Sequence, residues 1–117
     1  MIVFAVALAG GCGAALRFLV DGVVARATPG RWPLGTFVIN VSGSLALGFL
    51  VGALPAGDWL TILGTGLLGG YTTFSTASFE AINLAANRDH GWPTAAAHAT
   101  AMMTLSLAAA WLGLALA

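Results

Sequence analysis

Four apolar stretches, each about the length that a helix needs to cross a lipid bilayer, fill almost the whole chain, and only Arg17, Asp21 and Glu80 place charge inside them. A hydrocarbon core about 30 Å thick takes roughly 20 residues of α-helix. The pattern predicts spans over about 2–24, 34–54, 59–86 and 94–116. In 117 residues those spans leave room for short connections alone, so a single four-helix transmembrane domain is expected and no separate soluble domain fits. Composition agrees: 59% of residues are hydrophobic and 7% charged, against about 25% charged in soluble domains. The expected class is an all-α, multi-pass protein of the cell membrane, with lipid as its main surroundings.

The connections carry the residues that stop helices. Residues 26–33 contain two prolines and a Pro-Gly pair, 55–58 a proline and a glycine, and 87–91 a polar run before Trp92 and Pro93. Trp59 stands where an interfacial aromatic would. The N-terminus lacks a basic leader, and its apolar run outlasts the core of a signal peptide, so it is expected to be a retained helix. Net charge is zero and lysine is absent, which excludes a nucleic-acid-binding patch and points to a GC-rich bacterial source. Cys12, the lone cysteine, reads as a small buried residue. Small residues recur at four-residue spacing in Gly10/Ala14, Ser44/Gly48/Gly52 and Gly66/Gly70, the signature of close helix packing. Four helices enclose little interior, so the working unit is expected to be an oligomer.

Polar residues inside the spans are the candidates for function. Asn40 lies about two turns into the second span, where an unpartnered amide would cost a few kcal/mol; it must face protein or water. Residues 69–76, Gly-Gly-Tyr-Thr-Thr-Phe-Ser-Thr, place two glycines and four hydroxyls in eight positions, so the third helix is expected to break near its middle. Broken helices at membrane depth occur where they are buried in protein or line a cavity. Freed carbonyls there can hold Na⁺, and the hydroxyls of Thr73, Ser75 and Thr76 can meet an anion. Phe74, within the break, offers an anion its positive ring edge. Arg17 either reaches the interface or gives a water-filled vestibule positive potential; it can also pair with Asp21 one turn on. Glu80 is expected to bond a neighbouring helix end or a cation such as Arg17. Thr100 and Thr104 share a face of the fourth span and could extend a polar track, and His98 is a hydrogen-bond partner or interfacial residue. No Ser/His/Asp set, paired carboxylates or phosphate-cradling loop is present, so an enzyme is not expected.

Three blocks together resemble the Fluc/CrcB fluoride channel family: Gly10-Gly-x-Gly-Ala-x-x-Arg17-Phe18, Gly35-Thr-x-x-x-Asn40-x-x-Gly43-Ser44, and Gly69 through Thr76 on to Glu80. They cover most of the first three helices, and the last is the most specific. The resemblance implies an antiparallel, dual-topology dimer of four-helix subunits with two fluoride pathways and a structural Na⁺ at the dimer interface. By motif, the carbonyls of Gly69 and Thr72 would hold Na⁺, Asn40 would offer its amide to fluoride, Phe74 would be the first pathway phenylalanine, and Arg17 would sit at the vestibule. Thr73, Ser75 and Thr76 would join the ion pathway, with Thr104 or Thr100 as the hydroxyl from the fourth helix. The implied function is passive, selective fluoride efflux that relieves cytoplasmic toxicity.

The chain departs from the family pattern at Ala77, where a second phenylalanine usually stands, and Phe79 lies about 200° away around the helix. Arg26, Arg31 and Arg88 all fall in loops on one side. That positive-inside bias suits one orientation, so the partner is either a second copy or an oppositely biased paralogue. The alternative function is a small multidrug-type proton-coupled exporter, which needs a carboxylate midway along its first helix; Ala14, Ala15 and Leu16 occupy that region. A scaffold subunit would tolerate loss of both Asn40 and Phe74.

Overall fold

A computed structural model describes residues 1–29, 33–89 and 91–117; Gly30, Arg31, Trp32 and His90, which include one arginine of the charge-bias argument, lie outside the described residues. Helix α1 is Ile2–Ala27 and α2 is Leu34–Ala53. Helix α3, residues 58–71, opens with one α-turn (Asp58–Leu60), widens to a π-helical stretch (Thr61–Leu68) and closes on an α-turn (Gly69–Tyr71). After a break come α4 (Ser75–Ala86) and α5 (Gly91–Leu116), and no strand occurs among the described residues. Among those residues α1, α2 and α5 are long and apolar enough to cross a membrane.

The boundaries follow local chemistry. Helix α1 runs three residues beyond its expected end and α5 starts three residues before its expected start. In α5 the reason is Gly91, whose φ of 66° lets the chain turn directly into helix, with Pro93 in the first turn, where its missing N–H costs nothing. The break is shorter than the glycine and hydroxyl content suggests. Gly69–Tyr71 stay helical and Ser75 already begins α4, leaving Thr72, Thr73 and Phe74 outside helix.

Helix α1 packs along α3, and α2 along α5. Both crossings are close enough to require glycine. A Cβ on Gly70 would overlap the carbonyl oxygen of Gly10, and one on Gly48 would overlap that of Ala110. Gly113 meets the Leu45 carbonyl in the same way. The small-residue spacings at Gly10, Gly48, Gly66 and Gly70 therefore mark real backbone contacts.

The molecule measures 49 × 28 × 23 Å, enough along its length for a bilayer with its headgroup region. Its interior is thin: Ile39, Tyr71, Ala95 and Met102 are the buried apolar side chains among the described residues, whereas Phe4, Phe18, Leu19, Ile82 and Trp111 are exposed. Such an apolar exterior fits lipid or partner contact. Cys12, expected to be buried, is exposed on α1.

Candidate functional site

The break works by diverting backbone donors. In an unbroken helix the Thr73 N–H would bond to the Gly69 carbonyl four residues back. Here it donates instead to Oδ1 of Asn40 at 2.9 Å, while Asn40 Nδ2 donates to the Thr73 carbonyl, also at 2.9 Å. The Thr76 N–H, which helix would direct to the Thr72 carbonyl, goes to Thr73 Oγ1 at 3.2 Å. Thr73 thereby caps the start of α4 with its side chain, a standard role for threonine. The carbonyls of Gly69 and Thr72 both lose their helical partners, and Thr72 turns away with extended backbone at φ −74°, ψ 159°.

One of those carbonyls already receives a cation. Arg17 Nη1 donates to the Thr72 oxygen at 3.5 Å from α1, a long bond that leaves a second lone pair available. Among the described residues no ion pair joins Arg17 to Asp21, so the expected pairing within the helix gives way to this one across helices. Asp21 lies against Gly35 in the first turn of α2.

Glu80 bonds a neighbouring helix end, one of the two roles expected for it. Thr36 in the first turn of α2 donates its hydroxyl to Glu80 Oε1 at 2.6 Å, and Oε2 is buried without a hydrogen-bond partner among the described residues. Tyr71 anchors the end of α3 through its hydroxyl, 3.0 Å from Ser42 Oγ.

Two cavities meet at Thr73. A smaller one of about 310 Å³ contains Arg17, Asp21, Thr36 and Thr76. A larger open groove of about 990 Å³ runs between α2, α3, α4 and α5, with Asn40, Gly69, Thr72, Phe74 and Ala77 along it. The structure thus gathers Gly69, Thr72, Thr73, Phe74 and Asn40 on the groove and sets Arg17 in the smaller cavity behind it. Thr76 faces that cavity as well, and Ser75 lies 3.4 Å from Thr73 by its hydroxyl. Phe74 is 87% exposed, its ring standing free at the groove. Thr104 and Thr100 are exposed and lie outside both cavities, so the structure does not bring either to the other residues.

Three residues of α5 also join the site, and of these the sequence singled out His98. Met102 on α5 lies 3.4 Å by its sulfur from Asn40 Nδ2. Ser106, one turn on, lines the groove with a buried hydroxyl that has no hydrogen-bond partner among the described residues. His98 also lines it, its ring 5.9 Å from that of Phe37. Met102 carried no polar signal in sequence. Ser106 could have been found from the groove-facing side of α5, which the weak periodicity of that helix hides.

The donor set suits a hard monovalent cation. Two carbonyl oxygens stripped of helical partners, on a broken helix, are the type of ligand such an ion takes, and among the described residues no group of three His, Cys, Asp or Glu side chains comes together to offer another. One chain provides only part of a coordination shell at this place.

Comparison with known proteins gives a family and named relatives. Residues 4–114 match the model of the family described as CrcB-like protein, Camphor Resistance (CrcB). Among similar sequences, one of Leifsonia xyli named fluoride-specific ion channel FluC 1 is 51% identical, with 97% of this chain and 85% of that protein covered. A fluoride-specific ion channel FluC of Nitratidesulfovibrio vulgaris is 42% identical over 92% of this chain and 89% of its own. FluC 2 of Mycolicibacterium paratuberculosis is 44% identical, covering 92% and 87% respectively.

Proposed function

The chain belongs to the CrcB family, whose relatives are named ion channels and not enzymes, and from that membership we propose that it is one subunit of a fluoride-selective channel. The observation that carries this reading is the Asn40–Thr73 junction, which sets an amide, a freed backbone and the Phe74 ring on one groove. Fluoride is a small, strong acceptor; a narrow path that replaces its water with N–H groups, hydroxyls and ring edges holds it better than the larger chloride. Efflux is passive, down the gradient that forms when HF enters and dissociates in the cytoplasm.

The broken pair α3 and α4 counts as the fourth crossing in this reading. Two subunits then pack groove to groove in antiparallel orientation, which covers the exposed Phe74 rings and brings two sets of Gly69 and Thr72 carbonyls together. Na⁺, where bound, would supply a fixed positive charge at that interface. Arg17 raises the positive potential of the smaller cavity, which serves as the vestibule. Thr73, Ser75 and Thr76 lie along the ion path, and Thr104 reaches it only through the partner subunit.

The second subunit is another copy of this chain or a paralogue with the opposite charge bias. Arg26 in the last turn of α1 and Arg88 just after α4 lie at helix ends of one side, and Ala77 leaves each groove one ring short; both features favour a paralogue that carries two phenylalanines. The exporter reading is not favoured, since α1 presents Ala14, Ala15 and Leu16 where that chemistry needs a carboxylate.

The test is fluoride efflux from proteoliposomes holding this chain alone, with chloride as control ion and Na⁺ on both sides. Fast efflux of fluoride and not chloride supports the channel as a homodimer. Efflux only on co-reconstitution with a paralogue supports the heterodimer, and absence of efflux in both sinks the reading.

A further inference from the structure

The geometry points to Met102 as a positioning residue that keeps the anion donor of Asn40 occupied by a weak partner until fluoride arrives. An asparagine amide carries two N–H donors. In Asn40 one is committed to the Thr73 carbonyl at 2.9 Å, and Thr73 N–H on Oδ1 fixes which way the amide faces. The other meets Met102 Sδ at 3.4 Å. Asn40 has therefore no idle donor: an anion that binds this amide without undoing the break must take the place of the sulfur.

A thioether suits that exchange. Sulfur is a soft, weak acceptor, and the methionine chain has three rotatable bonds, so the contact breaks easily and the side chain can move. Met102 is buried between Asn40 and α5, 7% exposed, and both residues line the groove. A carbonyl in the same place would hold the donor more firmly and compete with fluoride. A hydrocarbon would leave the donor unpaired, raise the energy of the empty site and make fluoride bind tighter and leave more slowly.

The inference rests on the fluoride reading and makes two substitutions of similar size act in opposite directions. Fluoride binding to the purified protein is measured calorimetrically, alongside efflux at graded fluoride concentrations. Met102→Leu is expected to lower the half-saturating fluoride concentration about tenfold and Met102→Gln to raise it about as much. A residue that serves packing alone would shift both variants the same way or neither. Because either variant can disturb the fold, norleucine is also placed at Met102 in a Met103→Leu background, which exchanges sulfur for methylene at constant shape. The Asn40 side-chain amide is then read by ¹⁵N NMR without fluoride, with one of its two proton signals expected to shift. Unchanged amide protons and wild-type fluoride affinity in the norleucine protein would overturn the role of Met102. If wild-type protein neither binds nor conducts fluoride, the channel reading fails, while the amide signal still reports separately whether Met102 holds Asn40.

Discussion

Asn40 and the backbone N–H and C=O of Thr73 exchange two hydrogen bonds, each of 2.9 Å, across 33 positions of sequence. An amide side chain has paired with the N–H and C=O of one residue as one strand pairs with another, and the pairing is what prevents α3 from running on into α4. Asn40→Asp keeps the acceptor and removes the donor, setting a carboxylate oxygen against the Thr73 carbonyl. A broken buried pair of this kind costs about 2–4 kcal/mol. The variant is expected to melt at lower temperature in detergent and to lose fluoride efflux; efflux at the wild-type rate would remove Asn40 from the path.

The two glycine crossings set a sharp contrast between positions. Gly48→Ala forces a Cβ into the Ala110 carbonyl, whereas Gly22→Ala meets nothing within 4 Å among the described residues. Overpacking costs about 1–3 kcal/mol, while alanine in an open helical position gains about 0.5–1 kcal/mol. Thermal unfolding in detergent is expected to show the first substitution destabilising and the second neutral or stabilising; similar effects of the two would mean that α2 and α5 do not cross at Gly48.

Much of this architecture is legible in sequence, and the parts that are not have a common physical character. Helices α1, α2 and α5 follow from apolar length bounded by Pro29, Pro33, Pro55 and Gly91, and the break follows from consecutive glycine, threonine and serine. Its position does not. Gly69 and Gly70 read as helix breakers, yet they are helical because Gly70 touches the backbone of Gly10. The π-helical turns from Thr61 to Leu68 leave no mark in composition. Arg17 and Asp21 have ideal spacing for an ion pair, and the nearby Thr72 carbonyl, 55 positions away, takes the guanidinium instead. Local pattern sets which residues are polar and where helices stop. Which partner each polar group finds depends on crossings between helices far apart in sequence.

The Thr36 hydroxyl is the hydrogen-bond partner of Glu80, at 2.6 Å. Thr36→Val preserves shape and leaves a half-buried carboxyl group with no donor, a loss of about 1–3 kcal/mol. Thr36→Ser keeps the hydroxyl and is expected to retain most of the stability. Equal melting temperatures for the valine and serine variants would show that this bond contributes nothing in the membrane-embedded protein.

Arg17 acts at a distance in the proposed path, by potential and not by binding. Arg17→Gln removes the positive charge from the smaller cavity and is expected to lower fluoride flux about tenfold at low ionic strength. The deficit should shrink as inert salt rises and screening shortens to about 8 Å near physiological strength. Arg17→Lys is expected to restore part of the flux, since it keeps charge while losing the guanidinium bond to Thr72. A loss independent of both salt and charge would mean that Arg17 matters only as a clamp on the Thr72 carbonyl.

Ala77 is the position at which the chain itself argues for a partner. It lines the groove one helical turn from Phe74, while Phe79 faces away from it, so no other ring on α4 can take its place. A ring edge at an apolar site is worth about 0.5–1.5 kcal/mol, which corresponds to roughly twofold to twelvefold in occupancy. Ala77→Phe is therefore expected to raise fluoride flux through the chain reconstituted alone by that factor. If the natural channel pairs this chain with a paralogue, the same substitution should change the mixed channel less, because the partner already supplies the second ring. A larger gain in the mixed channel than in the chain alone would place the missing ring outside the path and leave the charge bias of Arg26 and Arg88 as the sole argument for two different subunits.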